Sequence, residues 1–430
     1  MDEAPQFPLP EKPALRPDLQ AFPVKLEDGG EAFLFNDPLS LAPGNPVVPT
    51  GAMAIIEFLD GKNDMREIQA EVVRHFDGTL VPLEIIEDLV RQLDENYMLL
   101  SDRLQHFFTS YAAQPIREPI HAGQAYPENP DELRPFLDTG FTHEDGPGET
   151  KVSADGKELV ALIAPHIDMN VAASSFAWAY RAVQDNEPAD LYVILGVAHM
   201  AAQTHLGEYI PLLLTRKDFA TPLGTLETDA DFVDSLAKRL KFDAFAGELI
   251  HRQEHSVELQ AVWLAHMLGG KKEFKIAAGL IGGFHEQVNE KKRPEEDPNI
   301  VNMIESLRGA IKDYPGRVCV ISGSDLAHVG PKFDGTPALD DETVKRVESK
   351  DREMLAHLEG LDHGAFYDYI VDEKNERNIC GYGSIYTTLA VTSPTDARLL
   401  AYDQFHEEPT QSLVSFTSMA FFCKPTGGKK

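Results

Sequence analysis

Three apolar, β-prone segments of this chain each lead to a histidine, and this pattern constrains the fold more than any other feature. Unbroken apolar runs are typical of buried strands in α/β sheets. Ligands in open α/β folds bind beyond the carboxyl ends of such strands. We therefore predict that the three imidazoles share one pocket, and convergent imidazoles most often bind a metal. The segments and their histidines are 161–165 with His166, 191–196 with His199, and 318–321 with His328.

Length and charge narrow the class of protein. A chain of 430 residues is too long for one ordinary core, so two domains are expected. Lys and Arg number 39 against 70 Asp and Glu, and the net charge of −31 argues against nucleic-acid and anionic-membrane partners. No apolar stretch approaches the roughly 20 residues of a membrane helix, and the acidic start does not resemble an export signal. Three scattered cysteines, Cys319, Cys380 and Cys423, predict a reducing, cytoplasmic location.

The first domain is predicted to span residues 1–110. Its first 35 or so residues are proline-rich and predicted to be irregular. Asp64 and Glu67 form a capping-box pattern, and Pro82 occupies a first-turn position before an amphipathic stripe. A strand, three short helices and a closing strand indicate a small winged-helix-like domain. The predicted strands are 31–35 and 97–100, and the predicted helices are 50–59, 68–76 and 82–93.

The second domain is predicted to span residues 118–425, after a connecting helix and linker over 103–119. Strand and helix patterns alternate along it, which predicts an α/β fold with a central mixed sheet flanked by helices. The predicted strands are 158–165, 190–196, 209–214, 274–281, 317–322, 399–402 and 413–422, and the predicted helices include 172–183, 231–240 and 257–268.

Carboxylates near these histidines suggest acid–base chemistry. If a helix begins at Asp325, this residue and His328 lie on one face, and Asp325 could fix the tautomer of His328 for proton transfer. Asp325 could equally cap that helix. Asp168, two residues after His166, could orient a neighbouring ring or serve as a turn residue.

Two further motifs carry candidate ligands. His255 and Glu258 lie three residues apart at a predicted helix start, a spacing suited to metal ligands or to an acid–base pair. The protease pattern His-Glu-x-x-His is absent. Cys380 precedes Gly-Tyr-Gly, where the backbone can approach closely, and its thiolate would be a soft metal ligand and a nucleophile. The alternative is an inert buried cysteine.

The order of these motifs resembles the Memo family, called AmmeMemoRadiSam system protein B in bacteria and archaea. The resemblance covers roughly residues 121–422. It depends on seven ordered motifs, which are His121-Ala-Gly-Gln-Ala-Tyr, Ala164-Pro-His-Ile-Asp, Leu195-Gly-Val-Ala-His, Thr221-Pro-Leu-Gly, Glu254-His-Ser-Val-Glu, Ser324-Asp-Leu-Ala-His and Asn378-Ile-Cys-Gly.

This resemblance implies a fold related to the class III extradiol dioxygenases, the LigB-like non-haem iron enzymes. It implies a metal held by the residues matching His166, His199 and Cys380. It also implies that Asp325 and His328 line the same cavity and that His255 lies in the histidine–glutamate motif beside it, and these three are the candidate catalytic residues. Thiolate and imidazole ligands suit Fe(II), which we favour, as well as Cu(I) or Zn(II).

The chain departs from the family pattern next to two of these histidines. It has Ile167 and Asp168 where Ala-Gly is common, and Val197-Ala198 where Pro-Ser is common. The added bulk and charge could narrow or recharge the mouth of the pocket.

Three functions follow as expectations. The first is a metal-dependent redox protein or oxidoreductase that works with a radical SAM protein and an AMMECR-type protein, since this chain lacks the Cys-x₃-Cys-x₂-Cys cluster itself. The segments 51–61 and 93–100 resemble PqqD-like domains, which implies recognition of a peptide or protein substrate.

The second expected function is an extradiol dioxygenase in which a carboxylate such as Glu258 completes the iron site. The third is a non-catalytic peptide-binding scaffold.

Overall fold

The computed structural model describes residues 6–26, 29–42, 44, 46–153, 156–200, 209–333 and 339–424. The chain divides into two compact units, residues 1–114 and 115–430. In the described part of the first unit, three strands form an antiparallel sheet in the order β1-β2-β3, and four helices follow. The elements are β1 Gln20–Lys25, β2 Glu31–Asn36, β3 Val47–Pro49, α1 Thr50–Ile56, α2 Met65–His75, α3 Leu83–Glu95 and α4 Asp102–Ala113.

Helix α2 begins where its capping residues predict, whereas Pro82 is the N-cap of α3 and not part of its first turn. The Asp64 carboxylate accepts hydrogen bonds from the backbone N–H groups of Arg66 and Glu67, and Glu67 accepts one from the Asp64 N–H, which completes a capping box. Helix α3 follows Pro82 and buries a stripe at helical spacing. The core of this unit includes Phe35, Ile68, Val72, Ile86, Val90 and Leu93.

Two expectations for the first unit are wrong. Residues 20–25 form strand β1 and pair with β2 along its whole length, although the first 35 residues were expected to be irregular. Residues 97–100 form no strand, because Tyr97 adopts φ 56° at the end of α3 and leaves too few extended residues for a ladder. Leu99 makes only an isolated bridge with Leu15.

The larger unit alternates strands and helices. Its strands are β4 Ile116–Arg117, β5 Glu158–Ala164, β6 Leu191–Val197, β7 Leu212–Leu214, β8 Asp218–Thr221, β9 Gly224–Leu226, β10 Lys275–Ile281, β11 Val318–Gly323, β12 His328–Val329, β13 Asp396–Glu407 and β14 Ser412–Cys423. Its helices are α5 Pro130–Thr142, α6 Met169–Asp185, α7 Ala230–Ala237, α8 Ile250–Gln253, α9 His255–Leu268, α10 His285–Glu290, α11 Pro298–Asp313, α12 Asp341–Glu359, α13 His363–Asp372 and α14 Tyr382–Thr392.

A mixed sheet forms the centre of this unit. Among the described residues, eight strands pair in the order β12-β14-β5-β11-β6-β10-β7, and β13 pairs with β14. Strands β5 and β6 both run parallel to β11, which lies between them. Strands β4, β8 and β9 form a separate small sheet. The predicted central mixed sheet flanked by helices is therefore confirmed.

The apolar runs are continuous because both faces of the sheet are covered. In β5, Leu162 and Ala164 belong to one hydrophobic cluster, while Ala161 and Ile163 belong to the cluster on the other face. Helices α5, α6 and α9 cover the first face, and α7, α11, α12, α13 and α14 cover the second. Successive strand residues point to opposite faces, so every position of such a strand must be apolar.

The sheet brings the three strand-end histidines together. His166 lies two residues beyond β5, His199 lies two residues beyond β6, and His328 begins β12 after the loop that leaves β11. The carboxyl ends of β5, β11 and β6 lie side by side, so the three side chains occupy one edge of the sheet. Within the described ranges, no helix combines the length and apolar character needed to cross a bilayer.

Candidate metal centre

His166 lies at the buried end of the site, 2% exposed. Its Nδ1 is 2.8 Å from the carbonyl oxygen of Gly323 at the end of β11. Because that carbonyl can only accept, Nδ1 carries the proton and Nε2 keeps its lone pair. The backbone N–H of His166 donates to Asp325 Oδ1 at 2.9 Å, which fixes the start of this loop.

Glu254 orients two further rings. Both of its carboxylate oxygens lie 3.1 Å from His199 Nδ1, and Oε1 lies 3.4 Å from His255 Nδ1. Glu254 also caps α9 by accepting a hydrogen bond from the N–H of Ser256. One buried carboxylate therefore holds the Nδ1 side of both rings and leaves their Nε2 atoms available to a ligand.

The donor atoms converge. Ring centroids are 4.8 Å apart for His166 and His199, 4.8 Å for His199 and His255, and 5.2 Å for His166 and His255. One ligand nitrogen from each of the three rings lies within 4.8 Å of the others. Cys380 Sγ is 3.3 Å from His166 Nε2. The residues expected as metal ligands are thus brought together, and His255 lies with them.

The segment that carries Asp325 and His328 is not the start of a helix. Residues 324–327 are irregular and His328 enters β12, where it pairs with Val414 of β14. His328 Nδ1 lies 3.1 Å from the Leu326 carbonyl oxygen, so that carbonyl, and not Asp325, fixes its tautomer. Asp325 instead lies beside the histidine cluster, with Oδ2 3.6 Å from His166 Nε2.

Asp168 orients no ring. Its carboxylate accepts a hydrogen bond from the N–H of Asn170 at 2.8 Å and so caps α6. The turn-residue alternative is the one that the structure supports, and Glu254 takes the ring-orienting role.

A buried ion pair fixes the helix that carries His255. Arg117 and Glu258 are both 1% exposed and form a salt bridge. Arg117 Nε and Nη2 donate to the carbonyl oxygens of residues 251, 252 and 254, directly before α9. Glu258 also accepts hydrogen bonds from Tyr126 and from the His121 N–H. Because its oxygens are occupied in this way, Glu258 does not supply the carboxylate of an iron site.

A second buried ion pair fixes the loop that carries Cys380. Arg377 pairs with Asp351 of α12 and with Glu373. The Arg377 carbonyl accepts a hydrogen bond from the N–H of His328 at 2.7 Å. Asp351 also accepts a hydrogen bond from Ser415 of β14 at 2.6 Å. This network connects the cysteine loop to the strands beneath the cavity.

Burial and neighbouring charges keep most of the site neutral. Burial lowers the pKa of His255 and of His328 to about 4 and holds the pKa of His166 well below its usual value. Burial also raises the pKa of Asp325 to about 7. Neutral imidazoles are the form that binds metal ions.

The His199–Glu254 pair carries the charge. Burial opposes ionisation of both groups, but their mutual attraction is stronger. It raises the pKa of His199 well above its usual value and holds the pKa of Glu254 well below its own. Burial raises the pKa of the Cys380 thiol, and the neighbouring His199 ring partly offsets this. A metal bound to the sulfur would favour the thiolate further.

This donor set suits a soft or borderline transition metal. Imidazole nitrogens with a thiol are ligands for Fe(II), Cu(I) or Zn(II), whereas Mg²⁺ and Ca²⁺ prefer oxygen ligands. The donors form the floor of an open cavity of about 980 Å³. These candidate donor atoms are therefore accessible from the cavity.

Sequence reasoning missed the groups that hold the ligands in place. Glu254 was noted only as part of a motif, and its position directly before a helix was the available signal. Arg117 and the Asp351–Arg377 pair gave no local signal, since each bridges segments that are distant along the chain. His121 lines the cavity, with its ring centroid 5.7 Å from that of His255.

Comparison with known proteins identifies the family. A family model described as Memo-like protein matches residues 117–420. The chain belongs to the Memo family. The "MEMO1 family protein" of Aquifex aeolicus is 29% identical over 418 residues, covering 95% of this chain and 100% of the relative. The "MEMO1 family protein TTHA0924" of Thermus thermophilus is 28% identical over 358 residues, covering 81% and 96%.

Membership of the Memo family confirms the resemblance that the seven motifs predicted. The matched region contains every residue of the site described above. The A. aeolicus alignment is long enough to include most of the first unit as well. The "MEMO1 family protein MK0963" of Methanopyrus kandleri aligns over 291 residues, 66% of this chain and 91% of the relative.

Proposed function

We propose that this Memo family chain is a cytoplasmic, metal-dependent redox protein in which His166, His199 and Cys380 bind one transition-metal ion, with Fe(II) preferred. The observation that carries the proposal is that the candidate donor atoms of these three residues lie close together. The Nδ1 atoms of His166 and His199 are held by the Gly323 carbonyl and the Glu254 carboxylate, so both rings are fixed in orientation. Such fixed rings bind a metal without reorganising.

The surrounding residues have separate roles in this proposal. A bound ion would supply Lewis acidity or a one-electron couple. Glu254 accepts the Nδ1 proton of His199 and holds its ring in place, so that Nε2, once deprotonated, can bind the ion. His255, His328 and Asp325 are candidates to move a proton at the cavity floor, and the pKa of Asp325, about 7, suits that task.

Metal analysis of protein purified without oxygen tests the proposal. We expect about one ion per chain, lost in His166→Ala and largely lost in Cys380→Ser, because removal of one ligand weakens a three-ligand site severely. Cys423→Ser is the matched control, since Cys423 lies at the end of β14 and outside the cavity lining. Full metal content in Cys380→Ser would contradict the thiolate ligand.

The role of His255 is tested separately. With Co(II) as a probe, a thiolate ligand gives an intense near-ultraviolet charge-transfer band, which Cys380→Ser should abolish and His255→Ala should preserve. If His255→Ala removes the metal as fully as His166→Ala does, His255 is a ligand and not an acid–base group.

An extradiol dioxygenase is the second candidate. Asp325 supports it, because Oδ2 lies 3.6 Å from His166 Nε2 and places a carboxylate beside the histidines, as a 2-His-1-carboxylate iron site requires. Oxygen uptake with catechols after anaerobic Fe(II) loading tests it. Equal absence of uptake in the wild type and in His166→Ala would eliminate it.

We further propose that the first unit binds a peptide or protein substrate. An apolar groove between α1, α2 and α3 supports this, and Leu80 and Ile85 are exposed beside and within it. The other apolar residues that line the groove include Ile55, Val72, Phe76, Val81 and Leu89. The partners implied by the family resemblance are a radical SAM protein and an AMMECR-type protein.

Calorimetric titration of the full chain with each partner tests this part. We expect binding that Ile85→Glu weakens, since a charge in the groove opposes apolar contact. Equal partner affinity for metal-loaded and metal-free protein would favour the non-catalytic scaffold instead.

A further inference from the structure

The cavity above the histidine cluster has one wall built by a three-stranded corner of the sheet. Phe405 of β13 is paired with Val414 of β14, which is paired in turn with His328 of β12. Residues directly opposite one another in antiparallel strands project from the same face. All three line the cavity, and the Phe333 ring packs edge-on against His328, with centroids 5.0 Å apart.

Another part of the cavity lining is also apolar. Ile167 and Val171 come from the loop after β5 and the first turn of α6, and Ala125 and Leu259 complete this surface. Ile167, Val171, Ala125 and Phe405 are only partly buried, and each packs against the hydrophobic core. They are therefore anchored from behind and leave apolar surface exposed within the cavity.

The cation at the rim of the cavity is paired, and Asp168, which caps α6, is the other charged side chain there. Lys332 lies there, but its Nζ is 3.0 Å from both carboxylate oxygens of Glu407, so the cation is already neutralised. The floor, in contrast, carries imidazole, thiol and carboxyl groups. The metal-chelating groups of the cavity therefore lie at the floor, below the apolar surfaces.

We infer that this cavity binds a small ligand with a metal-chelating head and a compact apolar body. The head binds at the floor, and the body contacts the wall formed by Phe405 and Val414 and the surface formed by Ile167 and Val171. This inference rests on the proposed metal site and adds the class of ligand. The volume of about 980 Å³ falls in the range of small-molecule sites.

Two hydroxamic acids test the inference without knowledge of the natural ligand. Acetohydroxamic and benzohydroxamic acid share one bidentate head and differ in a methyl against a phenyl group. Both are titrated calorimetrically into Co(II)-loaded full-length protein, with each affinity corrected for binding to aqueous Co(II). We expect benzohydroxamic acid to bind at least ~10-fold more tightly, because burial of a phenyl group contributes that much or more.

Variants locate the apolar contact. Phe405→Ala should reduce the advantage of the phenyl compound by about 5-fold or more and leave acetohydroxamic acid unchanged. Ile167→Ala on the other apolar surface should act in the same direction, and it keeps the test valid if Phe405→Ala folds poorly. His406→Ala is the matched control, because His406 is the next residue of β13 and lies outside the cavity lining.

The outcomes separate the two proposals. Equal corrected affinities of the two compounds for metal-loaded protein would overturn the apolar subsite and leave the metal site standing. Failure of the protein to retain Co(II) would overturn both. A phenyl advantage that survives Phe405→Ala and Ile167→Ala alike would also overturn the subsite, because the phenyl group would then bind elsewhere.

Discussion

Glu254 is the residue on which the charge of the site depends most. It is buried, it contacts the Nδ1 atoms of His199 and His255, and it caps α9. A carboxylate in this position both aims the rings and compensates a cation at the cavity floor. Removal of the Glu254 carboxylate should therefore weaken metal binding, although every proposed metal ligand is still present.

We predict that Glu254→Gln lowers metal affinity about 10- to 100-fold, the range typical for groups that orient metal-bound histidines. The amide still accepts one hydrogen bond but cannot compensate positive charge. Competition with a chromophoric chelator measures the change. Asp168→Asn, which keeps an exposed helix cap near the same cavity, should bind the metal as the wild type does. Unchanged affinity in Glu254→Gln would contradict the role of this carboxylate.

A second buried carboxyl group predicts a pH dependence of stability. Burial raises the pKa of Glu248 from 4.5 to about 7, while a hydrogen bond from Thr215 at 2.7 Å and the nearby Lys217 ammonium oppose the shift. The folded state thus holds this proton more tightly than the unfolded chain does. The stabilising contribution is complete below pH 4.5 and is lost as the pH rises through about 7.

Glu248→Gln should remove this dependence. Relative to the wild type, we expect the variant to gain free energy of unfolding between pH 4.5 and 8, by at most about 3 kcal/mol, and to match the wild type near pH 4.5. Urea unfolding at several pH values measures the difference. A difference that does not vary with pH would show that the carboxyl group titrates normally.

For single residues, the sequence predicted the positions of the candidate donor residues better than it predicted the side chains that hold those residues in place. His166, His199 and His328 could be placed together because each follows a recognisable strand. Cys380 and His255 came from ordered motifs. The ring-orienting role of Glu254 was not predicted, because a glutamate before a helix is usually a solvated cap. Only the fold shows that the His199 and His255 rings both contact it. The roles of these residues as ligands or acid–base groups stay predictions.

Among the elements, the long buried strands were the most predictable. β5, β6, β10 and β11 appear close to their expected bounds, because burial on both faces requires an uninterrupted apolar run. Short elements such as β4, β8 and β12 were missed, since two to four residues carry no periodicity. Their pairing depends on which segments the rest of the fold brings alongside.

Helix α12 and the cysteine loop share a buried ion pair with a measurable cost of removal. Asp351→Ala leaves Arg377 without one of its two carboxylates and Ser415 without its acceptor. We expect a loss of about 3 kcal/mol in the free energy of unfolding, as for other broken buried pairs. Urea denaturation measures it.

The control lies on the same helix. Glu348 forms a half-exposed pair with Arg352, so Glu348→Ala should cost less than about 1 kcal/mol. If Asp351→Ala is no more costly than Glu348→Ala, the ion pair does not hold the loop. If it holds the loop, Asp351→Ala should also diminish the Co(II) charge-transfer band of Cys380.

In unfolding experiments on the whole molecule, tryptophan fluorescence follows the larger unit alone. Both tryptophans of the sequence, Trp178 and Trp263, belong to that unit, and Trp263 stacks with Phe176 and with Tyr180. Unfolding followed in this way measures the unit that contains the candidate metal centre.

We predict that metal raises the unfolding free energy of the larger unit. An ion at 100 times its dissociation constant should add about 2.7 kcal/mol, since it binds the folded state selectively. Tryptophan-detected urea unfolding with and without the ion measures the gain. Cys380→Ser should show little of it, whereas Cys423→Ser should show all of it. An equal gain in both variants would indicate binding elsewhere.

The floor of the cavity and its walls belong to different parts of the architecture. Hydrogen-bonded strand ends and buried ion pairs hold the floor, while Ile167 and Phe405 project from a loop and from a hairpin. A change of shape in the walls leaves the strand register untouched. Substitutions in the walls can therefore alter ligand selectivity in a protein with this fold, while the reactive groups at the floor keep their positions.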